Sequence, residues 1–218
     1  GEYQGELFHG KPYGKGKTVF LNGDTYEGQY VKGKRHGYGI YTFADGERYE
    51  GEWNQDQQHG IGTFYFKNNN RYEGQWVRDF QEGKGVMYYF NGDRYEGEWQ
   101  EDKRMGRGVY IYVSGDSYEG NWRYDLRDGQ GTFFWSNGAH YSGEWKMGKM
   151  NGQGTYHYAN GDIYRGSFVD DELQGKGIYL FNNGDRYEGS YNRSQREGEG
   201  IFVYANGNKY VGQFLGGV

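Results

Sequence analysis

Apolar and polar side chains alternate along this chain in short runs. In the stretch Tyr49-Glu50-Gly51-Glu52-Trp53, the two rings and the glycine share one side of an extended strand, and the two glutamates share the other. A second kind of run, such as Gly39-Ile40-Tyr41-Thr42-Phe43, is rich in aromatic and β-branched residues. Alternation over such short runs predicts β-strands, and no stretch has helical periodicity.

The two kinds of run repeat along the whole chain. A Tyr-x-Gly unit recurs every 23 residues, with its tyrosine at positions 3, 26, 49, 72, 95, 118, 141, 164, 187 and 210. A Gly-x-Gly unit recurs with the same period and begins at positions 14, 37, 60, 83, 106, 129, 152, 175 and 198. A fixed short period is the sequence signature of a repeat protein. We therefore predict one continuous array over residues 1–218, with nine full repeats, the start of a tenth and no separate catalytic domain.

A turn signal stands between the second kind of run and the next Tyr-x-Gly unit. It is Asn-Gly, Asp-Gly or Ser-Gly in every repeat except the third, which has Asn68-Asn69. These residues tolerate positive φ, so each repeat is predicted to contain a strand, a tight turn, a strand and a longer loop. A three-residue turn would place Tyr41 and Phe43 on the face of Tyr49, whereas a two-residue turn would place Ile40 and Thr42 there. We prefer the three-residue turn because it collects the recurring aromatic positions on one face.

The repeat resembles that of a known family. Residues 91–99, Asn-Gly-Asp-Arg-Tyr-Glu-Gly-Glu-Trp, closely match the MORN repeat (membrane occupation and recognition nexus), and the resemblance extends over the whole chain. It implies an all-β fold, an elongated single-layer twisted antiparallel sheet that forms a gutter-like rod of 23-residue hairpins. Departures from the family pattern are local: Asn69 replaces a turn glycine, and Leu7 replaces an aromatic residue. In addition, Ser142 and Arg165 replace glutamates.

The resemblance also carries expectations about function. Arrays made of little but MORN repeats resemble cytoskeletal and membrane-associated scaffolds, including those that support cell division and cortical structure in protozoan parasites. Family members are associated with protein partners and with phosphoinositide-rich membranes. We therefore expect a structural scaffold that self-associates and recruits cytoskeletal or cortical proteins. Binding of an anionic phospholipid membrane is the alternative.

Composition indicates how such a sheet is stabilised. Only 34% of the residues are hydrophobic, yet 20% are aromatic and 42 are glycine. An aromatic ring can lie over a neighbouring glycine and shield its backbone, so columns of rings and glycines let a single sheet build a thin core. The net charge of −5 argues against nucleic-acid binding, and the lack of cysteine is typical of a reducing, cytoplasmic compartment.

The aromatic columns are the first candidate surface. They could bind a partner helix or lipid acyl chains, but a lone sheet has no other apolar material to bury, so we predict that they are mainly its core. One face of a lone sheet stays accessible, and exposed apolar surface often marks an interaction site. The candidate aromatic face comprises Tyr49, Trp53, Tyr72, Trp76, Tyr95, Trp99, Tyr118, Trp122, Tyr141 and Trp145.

Charged side chains give a second candidate surface. An arginine one place before the repeat tyrosine, such as Arg48, is predicted to pair with the glutamate two places on, such as Glu50. A different basic row is expected in the longer loops along one edge of the rod, where an anionic membrane would attract it by about 1 kcal/mol per residue. The candidate lipid-headgroup residues are Lys32, Lys34, Arg35, Lys103, Arg104, Arg107, Arg123, Arg127, Lys146 and Lys149.

The ends of a hairpin ladder carry unpaired strand edges that can pair with another copy. Pro12 would blunt pairing at the N-terminal end, so we predict a homodimer through the C-terminal repeats. The candidate dimerisation residues are Tyr187, Tyr191, Phe202, Tyr204, Tyr210, Phe214 and Leu215. No constellation of nucleophile, base or metal ligands can be assembled from the sequence, so we predict a non-enzymatic chain with no cofactor and no metal.

Overall fold

A computed structural model describes residues 1–216, and the last two residues of the array predicted over 1–218 lie outside the described residues. The chain divides into unit 1, Gly1–Gly108, and unit 2, which begins at Val109. Within residues 1–216 all regular secondary structure is β-strand, in tandem hairpins of alternating strand length. The predicted fold class, an all-β antiparallel sheet of 23-residue hairpins, is confirmed.

The strands follow the chain order. Unit 1 contains β1 (Glu2–Phe8), β2 (Lys11–Val19), β3 (Thr25–Val31), β4 (Lys34–Thr42), β5 (Arg48–Asn54), β6 (Gln57–Tyr65), β7 (Arg71–Val77), β8 (Phe80–Tyr88) and β9 (Arg94–Gln100), and β10 (Lys103–Ile111) begins in it. Unit 2 contains β11 (Ser117–Arg123), β12 (Leu126–Phe134), β13 (His140–Lys146), β14 (Lys149–His157), β15 (Ile163–Val169), β16 (Glu172–Leu180), β17 (Arg186–Asn192), β18 (Gln195–Val203) and β19 (Lys209–Phe214). From β1 to β9 and from β11 to β19, each strand pairs antiparallel with the next.

The turn at the Asn-Gly signal has the predicted three-residue loop. Between β4 and β5, the Phe43 N–H donates to the Glu47 carbonyl at 2.8 Å, and Gly46 closes the turn with a φ of 96°. Tyr41 then faces Tyr49 across the pair of strands. In the third repeat Asn69 takes the place of the glycine with a φ of 70°, which asparagine tolerates better than most residues.

The second connection differs from the longer loop that the sequence predicts. Between β5 and β6 it is a two-residue turn, Gln55 and Asp56, with φ values of 45° and 71°, as in a type I′ hairpin. The prediction was wrong because β6 contains a β-bulge: residues 59–61 lie opposite Glu52 alone. A bulge interrupts the alternation of side chains, so the start of this strand looks like loop in the sequence.

The core is the layer of rings that lies on the sheet. Tyr49 is 0% exposed and Trp53 is 5% exposed, although only one sheet layer is present around them. The Tyr49 ring lies over Gly62, where an added Cβ would overlap it. Its hydroxyl donates to the Glu52 carbonyl at 2.7 Å, and the Trp53 indole N–H donates to the Gly39 carbonyl at 3.1 Å. Each ring therefore buries its apolar surface and satisfies its polar atom within the sheet.

Aspartates at the Asn-Gly turns join successive repeats. Asp24 accepts hydrogen bonds from the Tyr41 hydroxyl at 2.6 Å and from the Ala44 N–H at 2.8 Å. These bonds, led by that of Tyr41, hold the pKa of Asp24 below its usual value. Asp162 has the same two kinds of donor, and although burial acts to raise its pKa, the hydrogen bonds outweigh burial and lower it.

Candidate protein-binding groove

The face opposite the aromatic rings carries a groove whose floor is glycine backbone. Its floor consists of the glycines two residues after the repeat tyrosines and of the glycines opposite them on the neighbouring strands. We call this surface the glycine groove. In unit 1, one stretch of about 510 Å³ is floored by Gly85 and Gly97. Another stretch of about 570 Å³ is floored by Gly5, Gly16 and Gly28. The groove arises because a glycine leaves no side chain between the flanking residues, which form the walls.

A further stretch of the glycine groove lies in unit 2 and has a volume of about 880 Å³. Its walls combine apolar side chains, including Val211 at 65% exposure, with charged ones of both signs. The side chains that form these walls are Gln153, Arg165, Lys176, Ile178, Glu188, Ser190, Glu199, Ile201 and Val211. A concave surface with apolar and charged groups together is suited to hold a segment of another molecule.

Many charges beside the groove are already paired within the sheet. Arg48 Nε lies 2.9 Å from Glu50 Oε1, and the guanidinium stacks on the ring of Tyr65 at 4.3 Å. Equivalent ion pairs of 2.6–2.9 Å occur at Arg71–Glu73, Arg94–Glu96 and Arg186–Glu188. The predicted pairing of these arginines and glutamates is confirmed, and partly exposed pairs of this kind each contribute little to stability.

The ten residues of the candidate aromatic face all lie in the core. The five tyrosines are 0% exposed and the five tryptophans are 4–5% exposed. Burial raises the pKa of the Tyr49, Tyr72 and Tyr141 hydroxyls, each of which donates to a backbone carbonyl three residues on. These rings are thus occupied by the fold itself, in agreement with the interpretation of the columns as a thin core.

The rings are covered by a column of side chains at the position of Arg35 and its equivalents every 23 residues, which the sequence pattern did not reveal. Arg35 places its guanidinium 4.7 Å from the Trp53 ring and 3.1 Å from the Asp56 carboxylate. Arg127 lies 4.7 Å from Trp145 in the same way. The bulge hid this column, because it reverses which side of the strand these residues face. Other members of the column are Gln58, Gln81, Met150 and Leu173, all at most 8% exposed.

The ten candidate lipid-headgroup residues are therefore not one row. Arg35, Arg104 and Arg127 lie against the aromatic face, and Arg107 lies on a wall of the groove. The others stand at the edge of the two-residue turns: Lys32 in a turn, and Lys34, Lys103, Arg123, Lys146 and Lys149 at the strand ends beside the turns. Three of these six belong to unit 1 and three to unit 2, each in or beside a two-residue turn of its own unit.

The candidate dimerisation residues divide into two groups by exposure. Tyr187, Tyr191, Phe202 and Phe214 are at most 8% exposed, so they belong to the core of unit 2. Tyr204 at 47%, Tyr210 at 45% and Leu215 at 80% are exposed. Pro12 lies on β2 opposite Leu7, so it is not on the outer strand β1 that it was expected to protect.

Residues 1–216 contain no helix that is long and apolar enough to span a membrane. In the same part of the chain, no three histidine, aspartate or glutamate side chains are grouped as a metal ion would require.

The fold and the groove define a repeat protein built of tandem β-hairpins. The sequence model of the MORN repeat matches nine consecutive segments, residues 3–25, 26–48, 49–71, 72–94, 95–117, 118–140, 141–163, 164–186 and 187–209. The chain belongs to the MORN repeat family. No curated protein matches it.

Solved structures with a similar fold include TCP domains of CPAP and SAS-4. The TCP10 domain of Danio rerio CPAP is 12% identical, with 90% of this chain and 93% of that chain covered and a TM-score of 0.51. The same domain in complex with a STIL peptide is 13% identical, with 98% and 100% covered and a TM-score of 0.49. The Drosophila melanogaster SAS-4 TCP domain in complex with a proline-rich motif of Ana2 is 19% identical, with 71% and 85% covered and a TM-score of 0.45. At these identities the likeness concerns the fold alone.

Proposed function

We propose that this chain is a non-enzymatic scaffold that binds segments of partner proteins in the glycine groove. One observation carries the proposal: the groove of about 880 Å³ in unit 2 presents Val211 at 65% exposure among charged side chains. The aromatic rings, by contrast, are used within the core. An exposed apolar group in a concave, polar surface costs solvation free energy in the free protein, which a bound partner would recover.

The groove walls suit a scaffold because they differ from one repeat to the next. In unit 1 the walls beside Gly85 and Gly97 are lined mostly by charged side chains, with Val86 as the apolar one. In unit 2 the walls include Ile178, Ile201 and Val211. A repeated backbone with a changing wall can hold different segments at different repeats, as solenoid proteins do.

Peptide selection on the full chain tests the proposal. Peptides are selected from a displayed random library, and their affinities for wild type, Val211→Glu and Val169→Glu are measured by fluorescence anisotropy. Val169, 47% exposed at a strand end beside a turn, is the matched control for Val211 in the groove. We expect Val211→Glu to weaken binding by about tenfold or more and Val169→Glu to have no effect. Equal effects of the two variants would contradict the proposal.

Self-association through the C-terminal hairpins belongs to the same proposal, together with recruitment of cytoskeletal or cortical proteins. Tyr204, Tyr210 and Leu215, exposed at 45–80%, offer the apolar surface for a second copy. Light scattering of wild type at high micromolar concentration should give twice the mass of one chain, and Leu215→Glu should give one. A wild-type protein that stays a monomer would refute self-association.

Binding to an anionic membrane is a second candidate, favoured by one feature of the turn edge in unit 2. Met147 is 68% exposed at the tip of its turn, flanked by Lys146 and Lys149, and Tyr124 is 65% exposed in the turn of the preceding repeat. Apolar turn tips beside basic residues are typical of proteins that insert shallowly into anionic bilayers. Co-sedimentation with phosphoinositide vesicles should fall as salt rises and with Met147→Glu. No binding at low salt would exclude this candidate.

A further inference from the structure

The bulge exposes a backbone N–H that five repeats cap with a side chain of the preceding strand. In unit 1 the Gln29 side-chain carbonyl accepts the Tyr38 N–H at 2.9 Å, and that of Gln75 accepts the Lys84 N–H at 2.7 Å. Glu52, Glu98 and Glu144 cap the equivalent N–H groups of Ile61, Arg107 and Gln153 with a carboxylate oxygen. A glutamate or glutamine in this column thus accepts a hydrogen bond from a backbone N–H of the next strand.

Serine stands in this column at Ser167 and Ser190, and of these two repeats only that of Ser167 has an arginine, Arg165, two residues before the serine. Its side chain ends one atom beyond Cβ, so it lacks the reach of a glutamate. A Cβ added to Gly152 would overlap the carboxylate of Glu144, but a Cβ added to Gly175 would meet only the Cβ of Ser167 at 3.5 Å and its Oγ at 3.7 Å. The space that the Glu144 carboxylate fills in the preceding repeat is therefore open beside Ser167. The Oγ of Ser167 accepts a hydrogen bond from the side-chain amide of Gln153 at 2.7 Å.

The charge beside this open space is reversed in the same repeat. Arg165 stands two residues before Ser167 on the same strand, in a column where most other repeats have glutamate and none has a basic residue. Repeats such as residues 49–53 carry two glutamates at these two positions, so the local formal charge changes from −2 to +1. Arg165 is exposed and makes no ion pair within residues 1–216. Lys176, on the next strand, also lines this stretch of the groove.

We propose that the open space beside Ser167 binds the carboxylate of an aspartate or glutamate side chain from a protein segment docked in the glycine groove of unit 2. The inference rests on the proposed function, whose groove it specifies. The incoming carboxylate takes the position that the Glu144 carboxylate holds in the preceding repeat. It accepts a hydrogen bond from the Lys176 N–H, the equivalent of the Gln153 N–H, and is attracted by Arg165.

The groove also specifies what surrounds the acidic residue of the partner. Ile178 faces Arg165 on the neighbouring strand, and Glu188, paired with Arg186, follows on the next strand. Ile201 and Val211 face each other beyond it. Strands are about 4.8 Å apart, so apolar side chains of the segment would follow the carboxylate at distances of about 5 to 20 Å along the groove. The partner is therefore a segment with one acidic anchor, followed by apolar residues that contact the groove on both sides of Glu188.

A variant that fills the space from within tests this inference without unfolding the protein. Ser167→Glu should supply its own carboxylate as Glu144 does, so we expect its melting temperature to be at least that of wild type. Peptides selected on the wild-type chain should contain aspartate or glutamate. The affinity of Ser167→Glu for these peptides should be at least about tenfold lower than that of wild type. The affinity of wild type should fall by a similar factor when the acidic residue of the peptide is replaced by its amide.

Ser142→Glu is the matched control, because it adds the same charge to a groove wall in the repeat where Glu144 already fills the space. It should leave the affinity unchanged. If the selected peptides are weakened by Val211→Glu but not by Ser167→Glu or by the amide replacement, the carboxylate site is refuted and the groove scaffold stands. If no selected peptide is sensitive to Val211→Glu, both are refuted.

Discussion

Gly62 is a position at which one added methyl group should disrupt the thin core. A Cβ on Gly62 would overlap the hydroxyl and two ring carbons of Tyr49, whereas carbon atoms in contact normally stay about 3.5–4.0 Å apart. The Tyr49 ring is 0% exposed and is held by its hydrogen bond to the Glu52 carbonyl. It also makes edge-to-face contacts with Trp53 and Trp76 at 5.2 and 5.4 Å. The ring therefore cannot yield without losing these contacts.

The cost of Gly62→Ala follows from those contacts. Overpacking costs about 1–3 kcal/mol. Displacing the ring weakens a hydrogen bond worth about 1 kcal/mol and two ring contacts worth about 0.5–1.5 kcal/mol each. Alanine also restricts the unfolded chain, which favours folding by about 0.4–1 kcal/mol. Since the losses outweigh this gain and are only partly additive, we expect the free energy of unfolding to fall by about 2–4 kcal/mol.

Urea unfolding followed by tryptophan fluorescence and circular dichroism measures this cost in the full chain. Tyr49→Ala removes the ring, so Gly62→Ala should cost little in that background. The double-mutant cycle thus separates the clash from any effect of alanine on the strand. The reasoning is refuted if Gly62→Ala alone stays within about 0.5 kcal/mol of wild type, the range of ordinary surface changes. It is also refuted if the cost is the same with and without the Tyr49 ring.

Three further predictions concern pH and the column that covers the rings. The folded-state pKa of Asp24 and Asp162 is lowered, so their contribution to stability is present above the usual value of 3.8 and is lost as pH falls through the folded pKa. Between pH 6 and 2.5, the melting temperature of the double variant Asp24→Asn, Asp162→Asn should therefore fall less steeply than that of wild type. Equal slopes would contradict this. Burial raises the pKa of tyrosines such as Tyr164 from 10 to about 12, so the stability that the neutral hydroxyls contribute should be lost as pH rises from 10 towards 12. Absorbance at 295 nm should show these tyrosines ionising together with unfolding and not before it. Arg35→Gln should cost less than about 1 kcal/mol in urea unfolding, because glutamine is buried at the same position of the column as Gln58, whereas Arg35→Glu should cost more, because it would place a carboxylate beside that of Asp56.

The repeat length, the hairpins and the three-residue turn could be predicted because they depend on local chemistry. Asn-Gly and Asp-Gly select a turn in which the glycine takes a positive φ, and Gly46 does so at 96°. The alternation of Tyr49, Gly51 and Trp53 then fixes which face is buried, and the structure places both rings in the core. Local sequence therefore specifies each hairpin and its apolar face.

The bulge could not be predicted, and the errors about candidate sites follow from it. Gln55 and Asp56 form a tight turn although neither residue is glycine, which the sequence gives no reason to expect. Since the bulge moves Arg35 to the aromatic face, a residue expected in a lipid-binding loop instead stacks on Trp53. The glycine groove was missed for a related reason: it is formed by backbone where side chains are absent, and apolar patterning does not reveal such a surface.

The distribution of variation among the repeat columns indicates where binding specificity lies. The repeat tyrosines from Tyr26 to Tyr187 are 0% exposed, and each ring lies over a glycine that no larger residue could replace without a clash, so these columns have no freedom to specialise. The capping column is different, because its acceptor comes from glutamate in some repeats and from glutamine in others, and the space is open at Ser167. A partner that supplies the missing carboxylate would complete a structural contact of the repeat as well as bind to it. Binding should then stabilise unit 2, as Ser167→Glu is expected to do, and this shared effect would link recognition to the architecture of the repeat.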